Sequence, residues 1–439
     1  MTDRGDGGAR GGTPVHFSRV LQNGLRVLVV PQPHLSRAHV GFYARTGSRF
    51  ETEATNGISH FTEHMLYRGT PSLPTAHAVN DAFESLGGYL YAATQVDFGV
   101  FSVTMPHESL AEATRLFADV LINPTFRDIE IEQGIVCEEI LEDLDDEGRQ
   151  IDADNLSRSL IYGKHPLGFT ITGDEERVRS FDERALHAHH ERHYGASTSV
   201  LVFSGNVTEA ALDLAEAQFA TMRPGTPITA TAPVHTQKKP RTRMVESVAS
   251  QTELRVSLRA LPEGGAQGPV IDMLMRILDD GMSTRLYHRI SDAKGLCYDV
   301  SAAYDGYEDD GVLDFAAGCV HERTAQVTKE ILGLLVDLAN TGPTAEELDK
   351  AKRRARWDVR AMVDAPEDLA SHYAVSTLFN RFEPPHERLL RLEKVTRDDV
   401  LQVLHTVAAA ERVNVVAVGM LEGGQDQRLL EVVRGHKLP

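Results

Sequence analysis

A chain of 439 residues is too long for one ordinary core, and at roughly 100 to 200 residues per domain it implies two or more. A hydrophobic fraction of 41% supplies those cores, while 45 basic against 64 acidic residues give a net charge of -19, which excludes nucleic acid and anionic membranes as natural partners and leaves cationic peptides compatible. No apolar run of about 18 residues is present to span a bilayer, and three cysteines (Cys137, Cys297 and Cys319) in no CxxC pair exclude a disulfide framework and fit a reducing compartment.

Residues 1–14, MTDRGDGGARGGTP, are polar and glycine-rich without the apolar core of a secretion signal, so a flexible tail and a cytoplasmic protein are expected. LRVLVV and HVGFYARTG read as strands and GISHFTEHMLYRG as a helix. YLYAATQVD and VFSVTMP follow as strand-like segments, then a helix from near His107 and another over about Ile129 to Leu144. The run LHAHHERHYG, with His187, His189, His190 and His193, reads as a surface helix rather than a second metal site, and His165 in HPLG as structural. In residues 223–244, RPGTPITATAPVHTQKKPRTRM, Pro, Thr and Lys/Arg accumulate and apolar periodicity fades, which marks a linker.

Beyond the linker the order of elements returns: TELRVSLRAL, VIDMLMRILDDG, CYDVSAAY, VLDFAAGCV, a helix from about Glu322, and AEELDKAKRRARWDV. This repetition points to two tandem copies of one α+β unit, a first domain over 15–222 and a second, homologous one over 245–439. The copies differ where chemistry would sit. The first has His60, Glu63 and His64 on its first helix, and the matching stretch of the second carries Met273, Arg276 and Ile277, so only the first can hold a metal in this way.

His60-Phe61-Thr62-Glu63-His64 is an HxxEH motif in a helical segment. Positions 60 and 64 lie one turn apart on one face, so both imidazoles can reach one ion, and Glu63 beside them can hold and deprotonate a water. A third ligand is sought on IEIEQGIVCEEILEDLDDEG. Glu132 and Glu139 are two turns apart on one face, so Glu139 can ligate zinc while Glu132 orients a histidine; Glu138 and Glu142 are rival ligands. Cys137 points elsewhere and reads as a buried, inert thiol.

The segments LQNGLRVLVVPQ, RTGSRFETEATNGISHFTEHMLYRGT, ESLGGYLYAATQVDFGVFSV, VCEEILEDLDD, HPLGFTITGDEERV and GMSTRLYHRISDAKGLCYDVSA, in this order, resemble the pitrilysin/insulinase family of zinc peptidases, the inverzincins. The likeness is to short two-domain members similar to mitochondrial processing peptidase subunits. The resemblance implies one Zn2+ per chain and two α+β domains, each a mostly antiparallel sheet with helices packed on one face. It prefers Glu139, 75 residues after His64, as third ligand and puts Glu132 at the family's outer carboxylate. It further implies paired chains closing around a chamber for small or unfolded peptides, held as an added strand along an edge that includes Tyr91, Ala92 and Ala93.

Three departures stand out. The family completes its site with an Arg and a Tyr seven residues apart; Tyr298 matches the Tyr, but Ser291 occupies the Arg position and Arg289 is out of phase. This implies a heterodimer whose other chain supplies an Arg-Tyr pair, with leader or precursor peptides as substrates; a self-sufficient homodimeric oligopeptidase and a non-catalytic structural paralogue are the alternatives. Tyr91 stands where the family usually has Asn, and Asp279 and Asp280 replace the usual loop glycines, which reduces flexibility there.

Overall fold

The computed structural model describes residues 3–4, 15–420, 423–436 and 438. The tail expected over 1–14 lies outside the described residues except for the two-residue strand β1 (Asp3–Arg4). With β2 (Phe17–Val20), β3 (Arg26–Pro31), β4 (Arg37–Ala44), β5 (Tyr89–Thr94), β6 (Gly99–Pro106) and β7 (Ser199–Gly205) it forms a seven-stranded sheet in the order β1-β2-β3-β7-β4-β6-β5. Only β3 and β7 run parallel; every other neighbouring pair is antiparallel. A five-stranded sheet follows, β10-β11-β9-β12-β8, built from β8 (Arg241–Val245), β9 (Thr252–Ala260), β10 (Asp299–Gly306), β11 (Gly311–Cys319) and β12 (Val413–Val418), with β12–β8 its one parallel pair. The α+β expectation with two similar, mostly antiparallel sheets holds.

The chain forms two compact units. One comprises Met1–Ile140, Phe169–Ala230 and Val359–Glu387, the other Leu141–Gly168, Thr231–Asp358 and Arg388–Pro439. Each half of the sequence thus contributes a stretch to the unit built mainly from the other half, which contiguous blocks at 15–222 and 245–439 do not anticipate. The expected linker is divided as well, since 231–244 belongs to the second unit and runs into β8.

The reason lies in the central strands. Every residue of β7 (SVLVFSG) and of β12 (VNVVAV) is buried, with no alternation, so both faces of each sheet need cover. Helices α1 (Ile58–Leu66), α2 (Ala76–Glu84), α3 (Leu110–Ile122) and α4 (Ile129–Leu141), with helices Glu183–His193 and Ala211–Phe219, belong to the first unit, and Phe42 of β4 stacks on Phe219 at 6.5 Å. The alternate residues Leu28, Val30, Tyr43, Val200 and Val202 face the other way and pack on Leu369, Tyr373 and Leu378 of helix Pro366–Leu378. In the second unit Val416 and Val418 of β12 pack likewise on Ala153 and Leu156 of helix Ala153–Tyr162, where Ser157 and Ser257 also meet at 2.6 Å. The late helix covers the early sheet and the early helix covers the late one. The loop after helix Gly268–Leu278 is pinned as expected from its acidic residues: Asp279 accepts from the Ala302 N–H at 2.7 Å, and Asp280 pairs with Arg276 and Arg354.

Candidate metal centre

The helix bearing HxxEH starts at Gly57, whose φ of 94° and whose closeness to Thr172, where a Cβ would lie 2.6 Å from the carbonyl oxygen, admit only glycine. Glycine offers no side chain to satisfy the first helical N–H groups. Glu51 does so from outside the helix: its carboxylate accepts from the backbone N–H groups of Gly57 and Ser59, both at 2.8 Å, and from the Asn56 amide at 3.0 Å. Burial pushes the Glu51 carboxyl up, while those three donors oppose the shift.

From this fixed start α1 presents His60, Glu63 and His64 toward α4. The chain enters α4 through two residues with left-handed backbone, Phe126 and Asp128, at φ 45° and 57°. His60 Nε2 lies 3.1 Å and His64 Nε2 3.7 Å from the same oxygen of Glu139. Glu132, two turns earlier on α4 and buried, meets His64 Nδ1 at 2.9 Å, and its other oxygen takes Arg68 at 3.3 Å. Glu63 Oε2 is 4.0 Å from His60 Nδ1 and accepts a 2.5 Å hydrogen bond from the Thr94 hydroxyl at the end of β5. The rival carboxylate Glu138 is exposed on another face of α4.

His60, His64 and Glu139 each offer one ligand atom, all three within 4.8 Å of one another; among the described residues no other group of three such side chains converges like this. Zinc bonds of about 2.0–2.1 Å in tetrahedral geometry put ligand atoms roughly 3.3 Å apart, so the 3.1 and 3.7 Å separations suit one ion. Charge agrees with distance. Three carboxylates (Glu63, Glu132 and Glu139) surround two imidazoles, and Arg68 offsets one of them. The hydrogen bond with His60 holds the Glu139 carboxyl below its usual range. Burial works against a charged His64, but the Glu132 hydrogen bond and the charges of Glu63, Glu132 and Glu139 raise it overall. Such an excess of negative charge is what a divalent cation neutralises, and Glu132 on Nδ1 leaves His64 Nε2 as the ligating nitrogen. The donor set fits zinc.

Two family models match the chain: "Insulinase (Peptidase family M16)" over residues 26–175, which includes every residue just described, and "Peptidase M16 inactive domain" over 180–355. The chain belongs to the pitrilysin/insulinase family. An uncharacterized zinc protease of Bacillus subtilis is 29% identical over 402 residues, covering 90% of this chain and 93% of that one, and another from Mycobacterium tuberculosis is 29% identical over 390 residues, 87% and 88% of the two chains. The fold is shared with a protease from Helicobacter pylori (TM-score 0.86, 20% identity, 93% of this chain and 100% of that chain) and with an M16-like peptidase from Alicyclobacillus acidocaldarius (TM-score 0.79, 21% identity, 91% and 97%).

Within this insulinase-family chain the remaining expected site residues fall as follows. Tyr91, Ala92 and Ala93 lie on β5, the outer strand of its sheet, and Tyr91 is exposed. Tyr298, in the second unit, is 93% exposed. Arg289 is tied to Glu330 and Asp337 by ion pairs of 2.7 and 2.6 Å, so it cannot stand in for the Arg missing at Ser291. Cys137 is buried, as expected.

The histidine run requires a correction. Only His187 lies at the surface; His189, His190 and His193 are buried, because helix Glu183–His193 packs inward and buttresses the start of α4 through ring contacts of Phe126 with His187 and His190 at 4.8 and 5.9 Å. Their nitrogens are used structurally, His189 with Thr46, His190 with the Leu121 carbonyl and His193 with the Arg45 carbonyl. Burial lowers His190 and His193 to about 4 and holds His189 well below its usual value. A depressed histidine contributes stability that is complete above its unfolded value of about 6.5 and is lost as pH falls toward 4, up to roughly 3 kcal/mol for each of His190 and His193. The urea midpoint should therefore drop between pH 6.5 and 4.5, and His190→Gln, which keeps a donor for Leu121, should flatten that slope; an unchanged slope would refute the assignment.

Glu51, Arg68 and Thr94 were not anticipated. Each acts on a residue of the HxxEH region, yet only Thr94, at the end of a strand flagged as a substrate edge, carried any signal in the sequence.

Proposed function

We propose that this chain is the zinc-bearing subunit of a metallo-endopeptidase that cleaves small or unfolded peptides, with a homologous partner chain supplying an Arg-Tyr pair. The observation that carries the reading is the convergence of His60, His64 and Glu139 within 4.8 Å, next to Glu63. A zinc ion held by these three residues would polarise a peptide carbonyl and lower the pKa of a water toward about 7.

The chain's own residues do the rest. Glu63 accepts the proton of the attacking water and passes it to the leaving amine. Thr94, donating to Glu63 Oε2, fixes that carboxylate and leaves its other oxygen for the water. Glu132 and Arg68 hold the His64 ring. A peptide added alongside β5 at Tyr91, Ala92 and Ala93 would gain backbone hydrogen bonds from an edge that ends at Thr94, which bonds Glu63. Charge of -19 favours cationic peptides, such as leader or precursor segments. Thr94→Val should lower kcat by about tenfold with KM little changed, since it removes a hydrogen bond to a charged group, and Thr94→Ser should restore it.

The partner follows from Ser291, Arg289 being occupied elsewhere. Native mass, zinc content and peptidase activity are to be measured for the chain alone and co-expressed with a paralogue bearing the Arg-Tyr pair. One zinc per chain with cleavage only in the mixed complex is expected. Full activity of the chain alone would sink the heterodimer and favour a homodimeric oligopeptidase.

A further inference from the structure

The second unit contains a cleft of about 200 Å³ that the peptidase reading leaves unused. Tyr162 and Arg259 line one side of it, and the segment between the two halves of the sequence lines the other, with Pro233, His235, Gln237 and Arg241. Arg259 is buried, donates to Asp310 at 2.6 Å and to the Pro233 carbonyl at 2.9 Å, and its guanidinium lies 5.7 Å from the Tyr162 ring centroid. Arg241 donates to the Leu160 carbonyl at 2.9 Å, and among the described residues no carboxylate pairs with it. Arg412 stands behind, donating to the backbone carbonyl of Arg259.

Arg259 is paired with Asp310, and Arg412 feels the charges of Asp310 and Glu411, whereas Arg241 on the same cleft has no carboxylate partner among the described residues, in a chain whose net charge is -19. Uncompensated cations partly removed from water are unfavourable unless an anion joins them. Burial first, then the neighbouring arginines, holds His235 and Arg412 below their usual values, with Asp310 opposing the shift at both. Donors are also in surplus, since among the described residues no backbone N–H from Val234 to Lys238 donates to a backbone carbonyl. Planar guanidinium forks together with free backbone N–H groups are the donors that oxyanions take. The cleft is smaller than the roughly 300–1,000 Å³ that accommodates drug-sized ligands, which suits a phosphate group with few further atoms.

We propose that this cleft binds a phosphate-class dianion between Arg241 and Arg259, fastening segment 233–241 to the sheet of the second unit. The proposal is independent of the zinc site. It is tested on the full chain with inorganic phosphate as probe, reading the thermal midpoint and the phosphorus NMR line width at ionic strength held constant with chloride. Phosphate should raise the midpoint and broaden the resonance where chloride does neither. Arg241→Gln should weaken phosphate binding by about tenfold or more. Arg241→Lys, which keeps the charge but loses the fork, guards against a folding defect in the first variant and should also bind more weakly than the parent. Absence of a phosphate effect, or an equal effect in Arg241→Gln, would overturn the assignment.

Discussion

Glu63→Gln is expected to leave zinc bound and to remove peptide cleavage, with a fall in kcat on the order of 10²–10⁴. The substitution keeps the side-chain shape and the acceptor for Thr94, but an amide cannot take a proton from water at neutral pH. Glu63 lies 4.0 Å from His60 Nδ1 and is not one of the three converging ligand atoms, so metal content should not change. The two readouts separate the possibilities. Lost cleavage with retained zinc supports the base, lost zinc would make Glu63 a ligand, and undiminished turnover would remove it from the mechanism altogether.

His64→Ala or Glu139→Ala should instead release the metal. Each deletes one of three donors, and neither leaves a substitute: Glu138 is exposed on another face, and Glu132 is committed to His64 and Arg68. Zinc per chain after dialysis should fall from one toward zero. Because a ligand that binds only the folded state adds roughly 4 kcal/mol at a thousandfold excess over its Kd, zinc should raise the thermal midpoint of the parent by several degrees and that of the variants hardly at all. Stoichiometric zinc in Glu139→Ala would show that another carboxylate completes the site. His64→Ala also strands Glu132 beside Arg68 without its imidazole partner, so this variant should lose more stability than Glu139→Ala, whose carboxylate is half-exposed.

Much of this site was legible because helical spacing is a local property. His60 and His64 are one turn apart and Glu132 and Glu139 two turns apart, and a helix converts either spacing into a shared face whatever surrounds it. The family resemblance prefers Glu139 over Glu138 and Glu142; His60 Nε2 lies 3.1 Å and His64 Nε2 3.7 Å from one Glu139 oxygen. Less legible were the groups that reach these helices from elsewhere. Glu51 closes the start of α1 from seven residues before its first helical position, and Thr94 reaches Glu63 from 31 residues away. No periodicity records either contact.

The sequence by itself determined the α+β class, the duplication, the metal motif and its absence from the second copy, since these depend on residue type and on spacing along one element. Only the tertiary structure decided that the histidine run of helix Glu183–His193 is a buried buttress, that residues 233–237 and 241 line a cleft with Tyr162 and Arg259, and that each sheet takes a covering helix from the other half of the chain. The physical reason is common to all three. Burial is set by which surfaces remain to be covered once the sheets have formed, and the fully buried, largely apolar β7 and β12 demand cover on both faces without naming the segment that provides it.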